Sequence, residues 1–110
     1  MNDWLVTEHE KRFHMPPDFF TCGGVAVASA VITAIKKAGG TDTEKLIAAM
    51  EGMEFDTPKG KMILRKEDHQ ALQSMFVFKV KGNGGGEWDL LDLVREIPMS
   101  ELPVPIRNKR

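Results

Sequence analysis

Residues 25–52 read VAVASAVITAIKKAGGTDTEKLIAAMEG, two helical patterns separated by a glycine pair. In the first, Ala28, Val31, Ile32 and Ile35 follow the i, i+3, i+4, i+7 spacing of one helical face. Lys36 and Lys37 sit where the negative end of the helix dipole favours cations, and Gly39-Gly40 supplies the stop. Ala26, Ala28, Ser29, Ala30 and Ala34 leave little bulk on any face, which suits close packing against another element. In the second, Thr41-Asp42-Thr43-Glu44 is a capping-box pattern, with Thr41 as cap and Glu44 reaching back. Leu46, Ile47 and Met50 then follow at core spacing, and Gly52 ends the helix.

Upstream, Asn2 to Phe13 opens on a capping-type residue and predicts a short surface helix, which Met15-Pro16-Pro17-Asp18 ends because proline disfavours helix in the residue before it. Downstream, Met53–Asp56 and Lys61–Arg65 flank Thr57-Pro58-Lys59-Gly60, a turn in which proline presets one dihedral and glycine relieves crowding; this reads as a β-hairpin. Met75 to Lys81 alternates, with Phe76, Phe78 and Val80 on one face, and predicts a half-buried strand. Gly82 to Gly86 reads as a flexible connector. In Trp88 to Ile97 the shared face of Leu90, Leu93, Val94 and Ile97 favours a helix. Pro98 to Arg110, with three prolines and a basic end, predicts an extended tail. The expected class is α/β to α+β, with about three helices packed on a small sheet or hairpin.

The chain has 110 residues, 15 Lys+Arg against 16 Asp+Glu, and 42% hydrophobic residues. That is one small domain at most. Its mass corresponds to a folded area of roughly 6,000 Å², with about two-thirds of the extended-chain surface buried. A net charge of -1 removes the electrostatic reason to expect nucleic acid or an anionic membrane as partner. The apolar run Val25 to Ile35 is short of a bilayer span, and residues 1–13 lack the pattern of a signal peptide.

No constellation points to catalysis. Cys22, the single cysteine, precedes Gly23-Gly24 at a helix entry, where a thiol would feel the positive helix end. Its histidine partner would have to be His14 or His69, neither in a recognisable signature, and a small buried residue is the simpler reading. His9, His14 and His69 lack metal-ligand spacing, so no metal and no cofactor are expected. The glycines at 82–86 are followed by Glu87-Trp88-Asp89, not by the Lys-Ser or Lys-Thr of a phosphate loop. Glu67-Asp68-His69-Gln70 reads as a turn with structural hydrogen bonds, since neighbouring side chains in an extended segment diverge.

Read in order, Pro16-Pro17-Asp18-Phe19-Phe20-Thr21, the small-residue helix ending at Gly40, Glu51 to Gly60, and Arg65-Lys66-Glu67-Asp68-His69-Gln70 resemble one family. It is the branched-chain amino-acid type of ABC-transporter substrate-binding protein, in the periplasmic binding protein type I group, and the likeness is to its C-terminal third. The resemblance implies a two-lobed, hinged protein that closes on a small carboxylated, amino-acid-like solute and delivers it to an ABC permease, outside the cytoplasm. Residues 1–74 would belong to the first lobe and 75–110 to strands crossing into the second, which makes Trp88 to Ile97 extended. The family's Gly-Tyr-Asp-Ala at the small-residue helix reads Gly24-Val25-Ala26-Val27 here, and the chain has no tyrosine. Cys22, Gly23, Gly24 and Val25 are thereby the expected ligand-facing residues, with the two glycines letting backbone N–H groups approach a carboxylate. The alternative is a self-associating module without a ligand of its own, dimerising through the apolar faces of Ala28-to-Ile35 and Phe76-to-Val80.

Overall fold

Three alanines decide how the layers meet. In the computed structural model, which describes residues 1–82 and 86–107, helix α2 runs Phe19–Ala38 and buries Ala26, Ala30 and Ala34. Spaced four apart, they form one row along the helix, and a single methyl per turn lets neighbouring backbone come close. Against this row lies a hairpin of strands β1 (Glu54–Thr57) and β2 (Gly60–Leu64), extended by the short β3 (Ala71–Leu72) in antiparallel order β1-β2-β3. Ala30 and Ala34 with Met53 and Phe55 make the core, flanked by Leu46, Met50, Met62 and Leu64. The Ser29 hydroxyl donates to the Asp56 carbonyl at 2.7 Å and fixes β1 across the helix. Helix α1 (Asn2–Phe13) contributes Leu5, and α3 (Thr43–Met50) contributes Ala49. A separate antiparallel pair, β4 (Met75–Val80) with β5 (Leu91–Ile97), follows, then a 3-10 turn at Met99–Glu101.

The class expected from sequence holds: three helices on small antiparallel sheets. Several local readings change. Helix α1 starts after Met1 without a side-chain cap and ends at His14, which takes a left-handed φ of 55° before the prolines are reached. The cap of α3 is Asp42, not Thr41: its carboxylate accepts from the Lys45 N–H at 3.1 Å, which leaves Glu44 in the first turn without a box to close. The stripe Ala28, Val31, Ile32, Ile35 lies opposite the buried alanines, with Val31 and Ile32 47% and 53% exposed. At 20 residues, about 30 Å, and mean hydropathy 1.7, α2 is also long and apolar enough by length and composition to cross a membrane, which the shorter run read from sequence was not.

Residues 91–97 are a strand, as the family resemblance implied and periodicity did not. Between Val77 and Phe78 the register slips by one, leaving Val94 without a ladder partner. Such a bulge resets the alternation, so the apolar spacing along β5 imitates a helical period. Strand β4 is present, but Phe78 and Val80 are 49% and 73% exposed where a half-buried strand was expected. The centre of the glycine connector and the last three residues of the basic tail lie outside the described residues. The whole measures 51 × 34 × 16 Å. Its surface, 8151 Å², exceeds the roughly 6,000 Å² of a compact protein of this mass by about 2,000 Å².

Substitutions on the two sides of α2 should therefore behave oppositely. Ala34→Leu overpacks the row facing the hairpin and is expected to cost about 1–3 kcal/mol, whereas Ile32→Ala stays within about 0.5 kcal/mol. Urea midpoints of the two variants against the parent chain check this.

Candidate functional site

The N-terminal turn of α2 is held by Asp18. Its carboxylate accepts from both the Thr21 N–H and the Thr21 hydroxyl, each at 2.7 Å. The backbone hydrogen bond from Thr21 is the main reason that this carboxyl sits below the usual carboxylate range, followed by the hydroxyl. Phe19 and Phe20 stand just inside the cap, their rings edge-on at 5.7 Å and 70% and 81% exposed. Opposite them is the tip of the β1–β2 hairpin. Thr57, buried, donates its hydroxyl to the Gly60 carbonyl at 2.7 Å and accepts from the Lys59 N–H at 3.1 Å, while Gly60 takes the positive φ of 101° that the turn requires. That brace carries the Lys59 ammonium to 4.7 Å above the Phe19 ring. Phe19, Lys59, Ser74, Phe76, Phe78 and Leu93 then border an open groove of about 450 Å³. It has aromatic walls and one cation at its rim.

The residues expected to face a ligand occupy the first two turns of α2 and do not converge on one groove. Cys22 is half-buried and unbonded to another cysteine. Gly23 and Gly24 present bare backbone, with no atom within 4 Å of where a Cβ would stand. Val25 turns toward α1, into a second groove shared with Trp4, Ala28 and Ile32. Because the helix starts at Phe19, the Cys22 N–H donates to the Asp18 carbonyl at 3.2 Å and those of Gly23 and Gly24 lie inside the helical ladder. The anion position at this helix end is taken by Asp18 itself, so the two glycines offer an open surface and not hydrogen-bond donors. The meeting of Phe19 with Lys59, forty positions apart, had no signal in the sequence beyond the aromatic pair after a capping aspartate.

Arg65 organises the other end of the hairpin. Its guanidinium pairs with both Asp68 oxygens at 2.8 and 2.6 Å and donates to the carbonyls of Val104, at 2.7 Å, and Pro105, at 3.4 Å. The Asp68 carboxyl is lowered chiefly by that hydrogen bond from Arg65. His69, at φ 57°, places Nε2 3.3 Å from Glu51. The segment 67–70 is thus a braced turn. Among the described residues no three His, Cys, Asp or Glu side chains gather as a metal site.

The sequence profile of the periplasmic binding protein family matches residues 2–86. Among solved structures, the chain is similar to an ABC-type branched-chain amino acid transporter protein from Rhodopseudomonas palustris CGA009, at 66% identity and TM-score 0.91, over 98% of this chain and 29% of that one. It is similar to a solute-binding protein of an ABC transporter from Rhodopseudomonas palustris BisB5, in complex with 3,4-dihydroxy benzoic acid, at 30% identity and TM-score 0.77, over 90% of this chain and 27% of that one. A leucine-, isoleucine-, valine-, threonine- and alanine-binding protein from Brucella ovis shares the fold, at 19% identity and TM-score 0.77, over 98% of this chain and 30% of that one. The chain therefore spans less than a third of the length of these structures. No curated protein matches it.

The cap and the clasp make acid behaviour specific. Asp18 and Asp68 both titrate below their unfolded value of about 3.9, so the unfolded chain binds protons first as pH falls. Their contribution is complete above that value and is lost as pH drops through the lower folded values. Urea midpoints are expected to fall from pH 5 to pH 2.5, and Asp68→Asn should flatten the fall. An unchanged slope in that variant would remove the clasp from the account.

Proposed function

The chain belongs to the periplasmic binding protein family, and from that membership we propose that it forms part of the extracytoplasmic solute-binding component of an ABC importer. The observation that carries the proposal is the 66% identity over 98% of the chain, at TM-score 0.91, to a protein described as an ABC-type branched-chain amino acid transporter. The ligand class is a small carboxylated solute, amino-acid-like or aromatic. Supporting it are the Lys59 ammonium, suited to a carboxylate, the apolar and aromatic border of Phe19, Phe76 and Phe78, and the relative that carries 3,4-dihydroxy benzoic acid.

In this reading residues 1–74 belong to the first lobe, and from Met75 onward the strands cross toward the second. The patch of Cys22, Gly23, Gly24 and Val25 lines the cleft, the two glycines leaving room there for the solute. Binding is by closure of one lobe on the other and transfer to a membrane permease. It involves no covalent chemistry, so the protein is no enzyme. A single wall has little affinity, because most of the desolvation and contact area of a closed cleft comes from the opposing lobe.

A second reading, a self-associating module, rests on the exposure of Ile32 at 53% and Val80 at 73%. It requires a stable dimer in light scattering, and a monodisperse monomer removes it. For the leading reading, calorimetry of the 110-residue chain with branched-chain amino acids, aromatic amino acids and benzoates is expected to give no saturating isotherm below the millimolar range. A micromolar isotherm with any of them would overturn the assignment of a single cleft wall.

A further inference from the structure

Gln73 and Ser74 join β3 to β4, and the Gln73 side chain stands in the wall between two cavities. One, of about 370 Å³, lies beside the tail and is bordered by Leu72, Met99, Leu102 and Val104. The other is the groove of Phe19 and Lys59. Gln73 Oε1 is shut off from solvent and accepts no hydrogen bond from the described residues, among which it is the one buried side-chain nitrogen or oxygen so placed. The neighbouring amide of Gln70 is turned elsewhere, its Nε2 donating to the Ala71 carbonyl at 3.0 Å. A buried acceptor without a donor costs stability, and each such group calls for a partner.

The two cavities differ in what they can receive. No charged side chain borders the one beside the tail. The groove has the Lys59 ammonium, no carboxylate, and the rings of Phe19, Phe76 and Phe78. A single positive charge among apolar walls complements a monoanion. A zwitterion would bring its own ammonium into a site that holds a cation and no anion to pair with it. An aromatic face can receive an ammonium, but Lys59 already occupies that of Phe19.

We propose that Gln73 is a specificity-determining residue of this groove: its amide bonds a ring hydroxyl of an aromatic monocarboxylate whose carboxylate is held at Lys59. The inference rests on the reading of the groove as part of a solute-binding wall, and within the proposed ligand class it selects hydroxylated aromatic acids over amino acids. A hydroxyl both donates and accepts, which matches an amide that offers an acceptor oxygen beside two N–H donors, whereas an ammonium only donates. The last torsion of a glutamine is broad, so Oε1 turns toward the groove while the rest of the side chain stays in the wall. Ser74 adds a hydroxyl on the same border.

The test is a set of nuclear magnetic resonance titrations of the 110-residue chain, which read millimolar affinities, with benzoate, 3,4-dihydroxybenzoate and leucine. The dihydroxy acid is expected to move the resonances of Phe19, Lys59 and the Gln73 side-chain amide. It is expected to bind about three- to tenfold more tightly than benzoate, the range of one net hydrogen bond, with leucine the weakest of the three. Gln73→Met keeps the length of the side chain and removes the amide. It is expected to make the two acids bind nearly equally without lowering the urea midpoint, because the group removed is an unpaired acceptor. Lys59→Gln is expected to weaken both acids and preserve their ratio.

Equal affinities in the parent chain, or a ratio that survives Gln73→Met, overturn the role of Gln73 and leave the groove as a solute wall. Leucine binding more tightly than either acid overturns the selection, and with it the proposal. A urea midpoint that falls in Gln73→Met, or a variant that does not fold, shows the amide to be a structural group and overturns the proposal. Shifts at Leu72 and Leu102 in place of Phe19 and Lys59 do the same. A folded chain whose groove responds to none of the three solutes overturns the proposal together with the reading of the groove as a wall of the cleft.

Discussion

One methyl per turn on the buried side of α2 sets the distances on which the rest of the molecule depends. Ala30 and Ala34 meet Met53 and Phe55 directly, so the hairpin lies close enough for the Ser29 hydroxyl to reach the Asp56 carbonyl. The alanines themselves remove little apolar surface from water. The larger residues opposite them supply most of the stabilisation, at about 25 cal/mol per Å² buried. Close approach at the alanine row also aims the hairpin along the helix toward its N-terminus. There the Thr57 brace delivers Lys59 to the face of Phe19. The groove proposed to hold a carboxylated solute thus owes its geometry to residues that never touch it.

Arg65 supplies the complementary constraint at the far end. A bidentate guanidinium–carboxylate pair is rigid and planar, and here the remaining donors are directed at the Val104 and Pro105 carbonyls. The chain beyond the second sheet is thereby returned to the first. Asp68 also accepts from the Gln70 N–H, and His69 adopts its left-handed conformation between these two bonds. The left-handed backbone at a non-glycine residue carries a conformational cost, which the Asp68 bonds and the Glu51 contact offset.

What was legible in the sequence was whatever local chemistry decides. The glycine end of α2, the third helix and the Pro58–Gly60 turn all follow from caps, dipoles and φ preferences acting within a few residues, whereas α1 has the expected extent without the expected cap and ends at His14 ahead of the prolines. The choice between Thr41 and Asp42 as cap was beyond that reach, since both can accept from the first turn and tertiary position selects one. Strand β5 was misread by periodicity because a bulge at Val94 breaks the two-residue alternation, and only the family resemblance carried the right answer. At the site, the sequence pointed to a glycine pair that turns out to lie one turn inside the helix. It could not show the pairing of Phe19 with Lys59, which exists only once the hairpin has docked.

The two faces of α2 explain why the periodicity of that helix was correct about the pattern and silent about the partner. Hydrophobic spacing records every side of a helix that must leave water, without saying which side the neighbouring sequence will cover. The alanine side is covered by α3 and the hairpin, which follow it after a short glycine connection, so nearby chain reaches it at low entropic cost. The Val31 and Ile32 side faces away from that neighbouring chain and stays 47% and 53% exposed. Bulky aliphatics contribute more per residue when buried than alanine does, so the stronger apolar face of the helix is the one these 110 residues leave open. The alanine row, by contrast, follows from a contact within the described fold, with Met53 and Phe55.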